Sequence, residues 1–107
     1  MEKHHFIADS CLLQRQPDMV FSHIDNEVVM MSIETGDYYG LNPVASRIWE
    51  LLENQHTFKW LIRQLMQEFD IDETACRNDV MRFLNQMTDK KLIAVVTVQT
   101  SDQDLLI

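Results

Sequence analysis

The chain has 107 residues, 46% of them hydrophobic and 24% charged, which suits one domain with its own core and argues against a disordered chain. A formal net charge of −8 makes a bare phosphate backbone a poor partner and favours basic or apolar peptides and proteins. The N-terminus "MEKHHFIADSCLL" is too polar for an export signal, and runs such as "LIAVVTV" are too short to span a bilayer, so a cytoplasmic protein with no membrane partner is expected.

Residues 1–17 read as a loose arm ending at Pro17, with a short strand near Leu12 and Leu13. Three strand-like runs follow: "MVFSHI" (19–24), "VVMMSI" (28–33) and "YYGLN" (38–42). The polar "DNE" and the "ETGD" turn around Gly36 join them, and connections this short make an antiparallel meander. Asn42-Pro43 is a helix start, a capping side chain followed by proline where no N–H is needed. The first helix is expected from Pro43 to about Glu53, burying Val44, Ile48, Leu51 and Leu52. Thr57 caps a second helix with the stripe Phe58, Leu61, Ile62, Leu65, Met66 and Phe69. Asp72 caps a third, with Cys76, Val80, Phe83, Leu84 and Met87 on one face. "LIAVVTV" (92–98) is a returning strand and the last residues a tail. The fold class is α+β: a three-stranded antiparallel sheet, then three helices packed on one face, then a short last strand. The expected domain spans 18–97, between the arm at 1–17 and a tail at 98–107.

Chemistry is sparse in this pattern. With only Gly36 and Gly40 there is no phosphate-cradling loop. His4 and His5 lie in the arm while His23 and His56 stand alone, so no metal site or cofactor is expected. Cys11 and Cys76 read as free thiols. No nucleophile–base spacing marks a catalytic residue, and the chain is read as a non-enzyme. A DNA-reading winged helix is an alternative with the third helix as recognition helix. There, however, Arg77, Arg82, Lys90 and Lys91 are cancelled by Asp72, Glu73, Asp79 and Asp89, so no nucleic-acid partner is expected.

Two stretches carry a family likeness. Tyr39, Leu41, Asn42, Ile48 and Trp49 in "YYGLNPVASRIWELL", and Asp79, Val80, Phe83, Leu84, Leu92 and Ile93 further on, resemble the pattern of the PqqD-type family over roughly residues 18–97. Its members are called RiPP recognition elements or peptide-modification chaperones. The chain departs from the pattern at Lys90-Lys91, where a glycine is usual before the last strand. The resemblance implies a winged-helix-like fold and a non-catalytic role, binding the leader segment of a ribosomally made precursor peptide. It is most like the stand-alone lasso-peptide members, which deliver the precursor to a cysteine protease that removes the leader. A radical-enzyme partner is the alternative.

The resemblance places the leader as an added strand along Asp37, Tyr38, Tyr39, Gly40 and Leu41, against the third helix, where position along the helix, rather than the family motif, selects Arg77, Val80, Met81 and Leu84 as the facing residues. Tyr39, Leu41, Ile48 and Trp49 are expected in the core. Tyr38 points away from Tyr39, either into the peptide groove or over the sheet's outer face, and Gly40 suits a close backbone approach. Trp60, opposite the apolar stripe of its helix, is expected to contact the partner enzyme or a second copy of the chain, with packing against the arm or tail as the alternative. A small sheet with an arm also leaves room for a domain-swapped homodimer.

Overall fold

The computed structural model describes residues 6–16, 19–33 and 35–96. Its elements in chain order are β1 (Leu12–Arg15), β2 (Val20–Ile24), β3 (Glu27–Met31), β4 (Tyr38–Gly40), α1 (Pro43–Leu51), β5 (His56–Thr57), α2 (Phe58–Glu68), α3 (Glu73–Asp89) and β6 (Ile93–Val96). The expected α+β order of three strands, three helices and a last strand is present. The tail expected at 98–107 lies outside the described residues.

β2, β3 and β4 form the meander, in that order. Asp25 and Asn26 both sit at positive φ (53° and 69°), the geometry of a tight two-residue turn that matches strand twist. Gly36, at φ 77°, closes the next turn, where the Ser32 N–H donates to the Asp37 carbonyl over 2.8 Å. Val28 and Met30 face inward with no exposed surface, alternating with Val29 and Met31 on the outer face.

The last strand does not join that sheet. β6 pairs antiparallel with β1, Leu13 opposite Val95 and Arg15 opposite Ile93, and β1 pairs on its other side with the short β5. The strand near Leu12 and Leu13 is therefore the centre of a second sheet. The described part of the segment set apart as an arm is built into the core, with Ile7 and Cys11 buried and Leu13 fully enclosed. The α2 entry is tied to the same segment, as the N–H groups of Phe58 and Lys59 donate to the Cys11 and Asp9 carbonyls. Cys11 and Cys76 are buried free thiols.

The three helix starts carry the expected caps. The Asn42 Oδ1 accepts from the Ala45 N–H (2.8 Å), the Thr57 Oγ1 from Trp60 (3.1 Å) and the Asp72 Oδ2 from Ala75 (2.9 Å). α1 ends at Leu51, two residues short of the expected end, and buries Ala45, Ser46, Ile48 and Trp49, with Leu52 enclosed just beyond it. Val44 and Leu51 are half-buried. The core collects Trp49 and Ile48 from α1, Phe58, Leu61, Ile62 and Leu65 from α2, Val80 and Leu84 from α3, and the inward residues of both sheets.

Candidate functional site

Among the described residues β4 is an edge strand, hydrogen-bonded on one side, to β3. Alternate residues of an antiparallel strand turn their backbone groups to opposite neighbours. The Leu41 N–H donates to the Val28 carbonyl over 2.9 Å and the Asp37 carbonyl accepts from Ser32, so positions 37, 39 and 41 face β3. The N–H and C=O of Tyr38 and Gly40 consequently face the open edge. The side chains divide the other way. Tyr38, 72% exposed, stands on the outer face, while Leu41 is buried and Tyr39, half-buried, packs inward opposite Met30.

Beside this edge runs a groove whose far wall is α3 and whose floor is the first turn of α1. Its upper hollow, about 240 Å³, is bounded by Tyr39, Gly40, Asn42, Phe83, Gln86 and Lys90. The lower hollow, about 420 Å³, shares Asn42, Ala45, Phe83 and Gln86 with the first and continues past Ile48, Ile71, Cys76, Asp79 and Val80. The two make one continuous depression, apolar at its base and polar at its rim. Burial and the neighbouring Asp79 push the Cys76 thiol up, so it stays protonated in the groove wall.

Ser46, buried on α1, is a hub beneath the edge. Its Oγ accepts from the Val28 N–H (2.9 Å) and donates to the Leu41 carbonyl (3.0 Å), fastening β3 and the end of β4 to α1. Sequence reasoning passed over it, because a lone serine among polar helix residues reads as surface. The signal that could have found it is its spacing: Ser46 falls one residue after buried Ala45 and two before buried Ile48, inside the apolar face.

Of the four α3 positions expected to face the added strand, the structure brings one, Val80, into the groove. Arg77, Met81 and Leu84 lie on the neighbouring stripe. Arg77 donates to Asp9 over 2.7 Å and to Glu73 over 2.9 Å, bonds that raise its pKa further, and it lies over the Phe58 ring. Leu84 is fully enclosed, and Met81 packs on the core. The groove stripe consists of Cys76, Asp79, Val80, Phe83, Gln86 and Met87, ending at Lys90. A one-residue offset on a helix rotates a side chain by about 100°, and that offset separates the two stripes.

Of the β4 set, Tyr39, Gly40 and Leu41 line the upper hollow, while Asp37 and Tyr38 stand exposed at the start of the edge. A Cβ built on Gly40 would meet nothing within 4 Å, and its φ lies outside the left-handed region, so packing within the described chain does not demand glycine there. Trp60 is half-buried and stacks face to face on His56, with ring centroids 3.5 Å apart. Among the described residues no group of histidine, cysteine and carboxylate side chains could hold a metal ion, and no helix is long and apolar enough to cross a membrane.

Comparison with known proteins agrees with this geometry. No curated protein sequence matches the chain. Among solved structures, TbiB1 in complex with the TbiA(beta) leader peptide is 34% identical, covering 75% of this chain and 93% of its own, with a TM-score of 0.68. Lasso peptide synthetase B1, complexed with its leader peptide, is 18% identical over 77% of this chain and 96% of its own, with a TM-score of 0.67. The PqqD truncation of Methylobacterium extorquens PqqCD, described as a stand-alone RiPP recognition element, is 16% identical over 83% of this chain and 95% of its own, with a TM-score of 0.68. The last two share the fold with this chain. The model of the family of coenzyme PQQ synthesis protein D matches residues 27–93, which take in both the open edge and the groove wall, and the chain belongs to the PqqD family.

Proposed function

We propose that this protein binds the leader segment of a ribosomally made precursor peptide as a further strand on β4 and presents it to a modifying enzyme, without catalysing a reaction itself. The observation that carries the reading is a pair of backbone positions, Tyr38 and Gly40, unpaired among the described residues and set beside a groove with an apolar floor. Backbone bonds at that edge supply affinity, and side-chain contacts along the α3 wall, at Val80 and Phe83 with Asp79 and Gln86 on the rim, supply selectivity. TbiB1, which shares about a third of its residues with this chain, was solved with a leader peptide bound. The open space outside Gly40 leaves room for a second backbone at close approach.

The partner this reading favours is a leader-removing cysteine protease of the lasso-peptide type, acting in the cytoplasm, with the stacked, half-buried Trp60 and His56 as its contact. In an isotope-labelled titration with the leader of the neighbouring precursor gene, the backbone amides of residues 38–40 and of Val80 and Phe83 are expected to shift together. Binding that shifts only other regions, or no binding at micromolar peptide, overturns the reading. Trp60→Ala should spare leader binding and weaken enzyme docking; equal loss of both overturns the assignment of Trp60.

A further inference from the structure

Two cations border the groove, and they are differently occupied. Arg82 is 3.4 Å from Asp79 on its own helix. Lys90 has no carboxylate partner among the described residues, and its Nζ rests 4.8 Å from the centroid of the Tyr39 ring. An ammonium over a half-buried aromatic ring is held by only about 0.5–2 kcal/mol, less than a carboxylate partner in the same place could offer it. The stem of Lys90 is nonetheless fixed. It is the C-cap of α3, and the turn beyond it is closed by the Lys91 N–H on the Thr88 carbonyl (3.0 Å) and the Leu92 N–H on the Met87 carbonyl (2.8 Å). Lys91 is held there at φ 61°, a conformation that a non-glycine residue adopts at some cost, so the turn sets the place from which Lys90 projects.

A peptide strand bonded to Tyr38 and Gly40 lies about 4.8 Å from β4, with its side chains alternating between the two faces of the sheet. Residues directly opposite one another on neighbouring strands point to the same face, with their Cβ atoms about 5 Å apart. The peptide residue facing Tyr39 therefore enters the upper hollow beside Lys90. The chain carries −8 overall, so an anion is drawn to it only where a cation such as Lys90 stands locally. Resting on the strand-addition reading above, we propose that Lys90 is a specificity-determining residue that selects an acidic side chain at the peptide position facing Tyr39. The ammonium leaves the ring for a charge-assisted hydrogen bond to that carboxylate.

The test is a displayed library of random short peptides selected in parallel on the wild-type protein, Lys90→Glu, Lys90→Gln and, as a control for net charge, Lys59→Gln on the exposed side of α2. Wild type and Lys59→Gln are expected to enrich Asp or Glu at one fixed offset from the apolar positions of the selected peptides. Lys90→Glu should enrich Lys or Arg at that same offset, and Lys90→Gln should show no preference there. An acidic peptide selected on wild type should bind Lys90→Gln roughly three- to tenfold more weakly. Identical residue preferences on all four proteins overturn the role of Lys90. Amide shifts induced by the selected peptides separate the two readings. Shifts at 38–40 without an acidic preference remove only Lys90's role, whereas peptides that bind elsewhere, or a library that yields no binder, remove both.

Discussion

The sheet of β5, β1 and β6 draws its strands from residues 56–57, 12–15 and 93–96, whereas β2, β3 and β4 follow one another within residues 20–40. The first is knitted into the core: Leu13 has no exposed surface, Ile93 is 1% exposed, and α2 begins hydrogen-bonded to the segment just before β1. The second keeps an apolar inner face but, among the described residues, leaves Val20, Ile24 and Tyr38 exposed on its outer face and β4 on an open edge. Long-range pairing closes the chain on itself in the first sheet, whose own edges are β5 and β6, and makes that sheet structural. Local pairing builds the second cheaply in loop entropy and leaves its last strand free to accept a partner.

The contrast can be broken most directly with one truncation in each sheet. Leu13→Ala should cost about 2–5 kcal/mol, as for other fully enclosed leucines, with a matching loss of denaturation midpoint. Tyr38→Ala removes a larger side chain yet should change stability by no more than about 0.5 kcal/mol, because that ring is already in solvent. Comparable losses in the two variants would mean that the outer sheet face is covered in solution. Tyr38→Pro sharpens the point: relative to Tyr38→Ala it lacks one more backbone donor, one that does not face β3. It should therefore fold like the alanine variant and lose peptide affinity beyond it.

Ser46 joins the open sheet to the helices, and its removal tests whether that joint is what holds the edge in place. Ser46→Ala leaves the Val28 N–H and one lone pair of the Leu41 carbonyl without their buried partner, an expected cost of about 1–3 kcal/mol by thermal or chemical denaturation. Amide exchange should accelerate in β3 and β4 and stay unchanged in β1. Uniform acceleration in both sheets would show that the two do not open independently.

How much of this could be read in the sequence follows the same division. The meander, the turn residues and the three helix caps are encoded within a few residues of one another, and each appears where the local pattern places it. β1 does not show its role, because "LLQR" has no alternation to mark a buried central strand, and its partners lie some forty and eighty residues away. The division of side chains, Tyr39 and Leu41 on one face and Tyr38 and Gly40 on the other, was legible from strand alternation, whereas which of them turns its backbone outward depends on the pairing of β4 with β3. The α3 wall was less so. Its charged and amide members, Asp79 and Gln86, look like any solvated helix face, and apolar Leu84 looked like a contact while serving the core. Ser46 carried no local signal beyond its place within an apolar face.

Lys91 lies where α3 turns into β6, at the entrance to the closed sheet. Lys91→Gly should relieve the positive φ and raise stability by about 0.5–1 kcal/mol, less whatever the more flexible unfolded chain takes back. A loss of stability would mean that the lysine side chain contributes something larger than the strain it causes. Because Lys91 does not border the groove, the same variant should leave peptide affinity unchanged, in contrast to Lys90→Gln.

The smallest expected effect is electrostatic and touches both regions. The Asp9 carboxyl is held below its ordinary value chiefly by the Arg77 hydrogen bond, beside the closed sheet. Glu50 is held low first by the bond from His23 of β2 and then by Arg47, beside the open one. Glu68 is held low first by Arg47 and then by Gln64, between α1 and α2. A carboxyl whose folded pKa is depressed binds its proton more readily in the unfolded chain. Its contribution is therefore complete above the ordinary carboxylate pKa, about 4, and disappears as pH falls through the lower folded value. These pairs are largely solvent-exposed, so each should contribute only about 0.2–1 kcal/mol. Denaturation midpoints should be flat from pH 7 to about 5 and fall below that. Asp9→Asn and Glu50→Gln should each flatten part of the fall, and high salt should shrink the difference between each variant and wild type. If Asp9→Asn alone flattens it, the acid-sensitive contacts belong to the closed sheet. An equal effect from Glu50→Gln would show that the open sheet is anchored to α1 by charge as well as by Ser46.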